Sequence, residues 1–140
     1  MKLPWFIEEA IKVSCLIIGD SIAVGIASRL PECQVAAKVG ISSAGWAREF
    51  GVHPLDPRDT VVISLGSNDG HVYSLQWLRR IRDAITAKRV IWVLPACNET
   101  ARLGIEHLAT FHGDQVIAFA PGRDGIHPKN YKRLAGRLGV

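Results

Sequence analysis

The sequence predicts a three-layer α/β/α sandwich around a five-stranded parallel sheet, and three observations carry that prediction. Short apolar runs alternate with stretches of helical periodicity. The runs are continuous and rich in Val and Ile, as in strands covered on both faces, where a half-exposed strand would alternate. Turn residues cluster just after the runs, and no repeat or low-complexity linker interrupts the series. At 140 residues the chain is expected to form one domain over 1–140, long enough to bury a core.

The strands expected from these runs are Val13–Ile18, Gln34–Ala37, Thr60–Leu65, Val90–Leu94 and Val116–Ala120. A helix over Ile22–Arg29 follows the first, with Gly25 weakening it. Val72, Leu75, Leu78, Ile81 and Ile85 form an apolar stripe at helical spacing, with Arg79, Arg80 and Arg82 on the other side. Leu103, Leu108 and Phe111 make a weaker stripe. After Pro128, a residue suited to a first helical turn, Tyr131, Leu134, Ala135 and Leu138 make the last. Right-handed crossovers between parallel strands follow from the alternation, and ligands of such sheets bind beyond the strands' carboxyl ends.

Composition narrows the function classes. The chain is 48% hydrophobic and 21% charged, the balance of a globular protein. No apolar run has the ~20 residues of a membrane helix, and Glu8, Glu9 and Lys12 break the apolar core a signal peptide needs, so a cytoplasmic location is expected. The net charge of +4 reads as solvated helix faces, since no nucleic-acid motif or aromatic interleaving accompanies it. Cys15, Cys33 and Cys97 are odd in number and lack metal spacing; Cys15 reads as a small core residue, and no disulfide framework is expected.

Polar clusters follow the expected strands: Gly19-Asp20-Ser21, Gly40-Ile41-Ser42-Ser43, Gly66-Ser67-Asn68-Asp69 and Asp124-Gly125-Ile126-His127-Pro128. Each alone is a good turn or cap sequence. Together they supply what acyl transfer requires. Ser21 offers a nucleophilic hydroxyl and His127 an imidazole, the side-chain type whose unperturbed pKa lies near neutrality. Asp124, three residues before His127, is placed to hold the imidazole tautomer. Asn68 brings an amide N–H and Gly40 an unobstructed backbone N–H, which with the N–H of Ser21 make three oxyanion donors.

The order GDS, Gly, GSND and DGIHP resembles the SGNH hydrolases, also called GDSL-type esterases and lipases, from Gly19 to the final helix. The most specific stretches are GDSIAVG and DGIHPKNYKRLA. The resemblance implies a five-stranded parallel sheet in an α/β/α sandwich and Ser21, Asp124 and His127 as catalytic residues. It also implies Ser21, Gly40 and Asn68 as the oxyanion hole; no metal or cofactor is expected, because no His or carboxylate spacing resembles a metal box.

Neighbouring residues have plainer readings. Asp20 is expected to cap the following helix and Asp69 to stabilise its own turn. His71 is a candidate pocket residue or a surface histidine. Trp46 is a candidate for stacking on a sugar ring at the rim, and equally for core packing. His53, His107 and His112 read as solvent-facing. The expected activity is hydrolysis of carboxylic esters, with short O-acyl groups on a carbohydrate favoured because the segment between Asn68 and Asp124 is used up by regular elements. Thioesterase or lysophospholipase activity and a non-catalytic glycan-binding domain are the alternatives. A small-molecule or glycan ester is the expected partner.

Overall fold

A computed structural model describes residues 14–70 and 75–140. The sequence readings on residues 1–13, on Val72 and on His71 fall outside the described residues. The strands are β1 (Cys15–Gly19), β2 (Gln34–Ala37), β3 (Arg58–Ser64), β4 (Ala87–Val93) and β5 (Gln115–Ile117). The helices are α1 (Ser21–Ala27), α2 (Ser43–Phe50), α3 (Leu75–Asp83), α4 (Glu99–His112) and α5 (Tyr131–Arg137).

All five strands are parallel, in the order β2-β1-β3-β4-β5. The chain runs outward from β1 to β2, then crosses back to β3 on the other side. The crevice between β1 and β3 is therefore the switch point of the sheet, where open α/β sheets place ligands.

Strand alternation builds two cores. Leu16, Ile18, Val61, Ile63 and Trp92 point to the face covered by α2, α3 and α4. Cys15, Ile17, Val62, Ile91 and Val93 point to the face covered by α1 and α5. Burial on both faces explains why the strands read as unbroken apolar runs. At the sheet's far side Arg82 donates to both carboxylate oxygens of Asp114, at 2.7 and 2.9 Å. Trp92 Nε1 donates to the same carboxylate at 3.0 Å, so α3 and β4 share one buried anchor.

Two sequence expectations are corrected. Helix α2 was not among the expected helices; Ser42 caps it by accepting from Gly45 N, and Ser43, Trp46 and Ala47 form its buried face. Cys15 and Cys33 form a disulfide with a Cα–Cα distance of 4.9 Å. Pairing β1 with β2 brings together cysteines 18 positions apart, a proximity that spacing alone does not reveal. Closing a loop of this length restricts the unfolded chain by about 3 kcal/mol. Cys33→Ala is therefore expected to lower unfolding stability by about 3 kcal/mol in urea titration, and dithiothreitol should destabilise the native protein but not the variant.

Candidate active site

The site begins where β1 ends. Gly19 has φ +149°, and a Cβ there would lie 1.9 Å from the Ser64 carbonyl oxygen of β3. Only glycine permits that approach, which is locked by Asp20 N–H donating to Ser64 O at 3.0 Å. The chain then turns directly into α1, with Asp20 as N-cap accepting from Ile22 N at 3.0 Å. Ser21 is thus the first residue of the helix, half-buried at the carboxyl edge of the sheet.

The loop after β5 brings His127 to the same edge. Gly122 N donates to His127 O, Lys129 N donates to Ala120 O, and Pro121 bridges Pro128, which closes residues 121–128 into a tight excursion. Within it, Asp124 Oδ1 accepts the backbone N–H groups of Ile126 and His127, both at 2.9 Å. Its other oxygen, Oδ2, lies 2.6 Å from His127 Nδ1. His127 Nε2 lies 2.9 Å from Ser21 Oγ. With Nδ1–H donated to the carboxylate, Nε2 is left as the acceptor for the serine O–H. The hydrogen bond from His127, helped by the two backbone N–H groups, holds the Asp124 carboxyl down at about 2.

Gly40 and Asn68 lie on the two loops flanking this array. Gly40 is exposed in the turn before α2, with φ +79°. Asn68 Nδ2 donates to Ile41 O at 3.1 Å, which ties its side chain to the Gly40 loop. An amide nitrogen carries two N–H donors, so this bond uses one of the two.

Asp69, Ser43 and Asn98 hold these loops through contacts that their sequence positions do not reveal. Asp69 does not serve its own turn; it accepts from Ser43 N and Ser43 Oγ, both at 2.7 Å, and so bridges to the start of α2. Ser43 is fully buried. Asn98, the N-cap of α4, donates through Nδ2 to Gly66 O and Gly70 O, each at 3.0 Å, spanning the Asn68 loop from the other side. The only sequence signal for these roles is cap chemistry at Ser42-Ser43 and Asn98; the partners are 26 to 32 residues away.

Trp46 does not line the site. It is 1% exposed, donates Nε1–H to Ala36 O at 2.8 Å and stacks on Phe50, so the stacking role is replaced by core packing. Among the described residues no cluster of three metal-ligating side chains occurs.

Asp20 is the unusual titrating group. It is fully buried beside the serine, and its Oδ2 has no hydrogen-bond partner among the described residues. Burial raises its carboxyl from 3.8 to about 6, against the lowering effect of the N–H groups at the helix start. The folded protein therefore keeps the proton where the unfolded chain has lost it. Stability falls as pH rises from about 4 to about 6 and is flat above, as far as this group is concerned. Asp20→Asn keeps an oxygen for the cap and removes the charge. It is expected to gain about 1–3 kcal/mol relative to native protein at pH 8 and nothing at pH 3.5, as read from thermal melts at the two pH values.

The fold is shared with solved structures of low sequence identity. A GDSL-like lipase from Bacteroides thetaiotaomicron superposes with a TM-score of 0.62 at 15% identity, covering 93% of this chain and 86% of that one. A protein described as an acylhydrolase from Bacteroides fragilis gives 0.59 at 14%, covering 89% and 82%. The C-terminal catalytic domain of peptidoglycan O-acetyltransferase A from Streptococcus pneumoniae, with a methylsulfonyl adduct, gives 0.56 at 17%, covering 92% of each chain. No family model matches the sequence, and no curated protein matches it significantly. The chain thus has the flavodoxin-like α/β fold found in SGNH hydrolases.

Proposed function

We propose that the protein is a serine esterase of the SGNH type, and the observation that carries this reading is the continuous Ser21–His127–Asp124 hydrogen-bonded chain. His127 Nε2 takes the proton from Ser21 Oγ as that oxygen attacks the ester carbonyl. The C–O bond to the alcohol breaks when the tetrahedral intermediate collapses, and the leaving oxygen takes the proton from His127. Water, deprotonated by the same imidazole, then cleaves the acyl-enzyme. The oxyanion is held by the N–H groups of Ser21 and Gly40 and by the second N–H of Asn68.

The favoured substrates are short O-acyl esters of carbohydrates. The exposed positions of Asn68 and Asp124 support a substrate that reaches the serine from open surface. So does the consumption of the chain between them by α3, β4, α4 and β5. Acyl transfer to another alcohol uses the same residues, and one neighbour is named an O-acetyltransferase. The Cys15–Cys33 disulfide favours action in an oxidising compartment over the cytoplasm, where such bonds are kept reduced.

A fluorophosphonate probe tests the enzyme reading directly. Labelling mapped to Ser21 by peptide mass spectrometry, and lost in Ser21→Ala, is the expected result. Native protein that stays unlabelled under conditions that label a control serine hydrolase would leave a non-catalytic binding domain.

A further inference from the structure

The charge of this chain is unevenly placed. Residues 14–120 contain ten Lys and Arg against ten Asp and Glu, and residues 1–13 contain two of each. The net charge of +4 therefore resides in residues 121–140, where Arg123, Lys129, Lys132, Arg133 and Arg137 face a single carboxylate, Asp124. That carboxylate is already engaged by His127. In residues 14–120 acidic and basic residues are equal in number, and Lys38, Arg82, Lys88 and Arg102 are paired with Glu49, Asp114, Asp59 and Glu106. Among the described residues none of the five forms an ion pair.

Three of them share one line. Lys129, Arg133 and Arg137 are spaced by four, so they stack on one side of α5 and its lead-in. They border a groove of about 140 Å³ between α5 and the segment after β5, with Phe119, Pro128 and Leu134 as its apolar part. Arg137 is fixed there by donating Nη1–H to Ala118 O at 2.7 Å. The groove starts at Pro128, the residue after His127.

Position decides which part of a substrate meets these charges. His127 hands its proton to the leaving oxygen, so the alcohol portion of the ester lies on the histidine side and the acyl portion on the Gly40–Asn68 side. We infer that the groove along Lys129, Arg133 and Arg137 binds an anionic group, a carboxylate or phosphate, carried by the alcohol portion of the ester. This inference rests on the esterase reading and adds a substrate class to it: acyl esters of acidic alcohols, acidic sugars among them. Opposite charge a few ångströms from exposed cations gives modest, salt-sensitive attraction per contact, and three contacts add up to a usable preference.

The test compares 4-acetoxybenzoate, whose leaving group bears a carboxylate, with its neutral methyl ester, and 4-acetoxyphenyl phosphate with its dimethyl ester. The quantity read is the ratio of kcat/KM for the anionic ester to that for its neutral counterpart, which cancels intrinsic leaving-group reactivity when proteins are compared. In Lys129→Gln/Arg133→Gln that ratio is expected to fall about tenfold at low ionic strength, with the neutral esters turned over as by native protein. Salt at 0.5 M should lower the native ratio similarly and the variant's ratio much less, since only Arg137 of the three remains. The larger loss distinguishes phosphate from carboxylate as the preferred group. A ratio equal in native and variant proteins, or unmoved by salt in the native one, overturns the anion groove while leaving the esterase reading intact. Native protein inactive on all four esters overturns the esterase reading itself. Should the double variant melt early, the salt series on native protein decides alone.

Discussion

Ser21→Ala should reduce p-nitrophenyl acetate turnover to the uncatalysed background, a fall in kcat on the order of 10⁶ for an enzyme of this mechanism. The expectation follows from how narrowly the structure presents that oxygen. Gly19 must accept a close pass by Ser64 O, Asp20 must cap α1, and only then does Ser21 Oγ stand 2.9 Å from His127 Nε2. No other hydroxyl among the described residues is hydrogen-bonded to His127. The substitution removes one exposed-edge oxygen and leaves the cap on Asp20, so the variant should melt within about 0.5 kcal/mol of native protein. Activity that persists in a folded Ser21→Ala protein would sink the assignment of this residue as nucleophile. Parallel loss of activity and folded structure would be visible in circular dichroism and is not expected.

The physics that made some features readable made others invisible. Strands buried on both faces announce themselves as apolar runs, and β2 occupies the expected Gln34–Ala37. Strands β3 and β4 start earlier than their apolar runs, at Arg58 and Ala87, because backbone pairing continues past the buried stretch into polar residues. Gly25 lowers the intrinsic helix propensity of α1, yet a Cβ at that position would lie 2.2 Å from the Tyr131 ring. The glycine is there so that α5 can pack on α1, a reason that lies 106 residues further along the chain. Helix α2 escaped notice because it is eight residues long, with its apolar side reduced to Trp46, Ala47 and Phe50.

The same division runs through the site. Ser21, Asp124 and His127 were legible because each follows a strand and because Asp124 and His127 share a short loop. The supports were not. Ser43 meeting Asp69, and Asn98 meeting Gly66 and Gly70, arise only after α2 and α4 dock on the sheet. The Cys15–Cys33 bond likewise depends on β1 and β2 being neighbours. Local chemistry is written in short segments, whereas the bonds that orient one loop against another depend on tertiary placement.

Asp124→Asn should then cost about 10⁴ in kcat while leaving the loop shape in place, because the change is one of tautomer. In the native protein Oδ1 takes two backbone N–H groups and Oδ2 takes His127 Nδ1–H. An asparagine must keep its oxygen toward Ile126 N and His127 N, since an amide nitrogen there would face two donors. Its NH₂ group is thereby turned toward Nδ1, which can accept that bond only if the ring proton moves to Nε2. A protonated Nε2 cannot receive the proton of Ser21, so the distance between them would be preserved and the chemistry lost. The native carboxyl, held at about 2, stays ionised throughout the working range and contributes no limb to the pH profile above pH 4. Two readouts separate this from simple damage to the loop. NMR of the imidazole nitrogens should show the proton transferred from Nδ1 to Nε2 in the variant. Asp124→Ala, which does not impose the wrong tautomer, should lose less activity than Asp124→Asn; the opposite order would mean that the carboxylate acts mainly as a brace for residues 121–128.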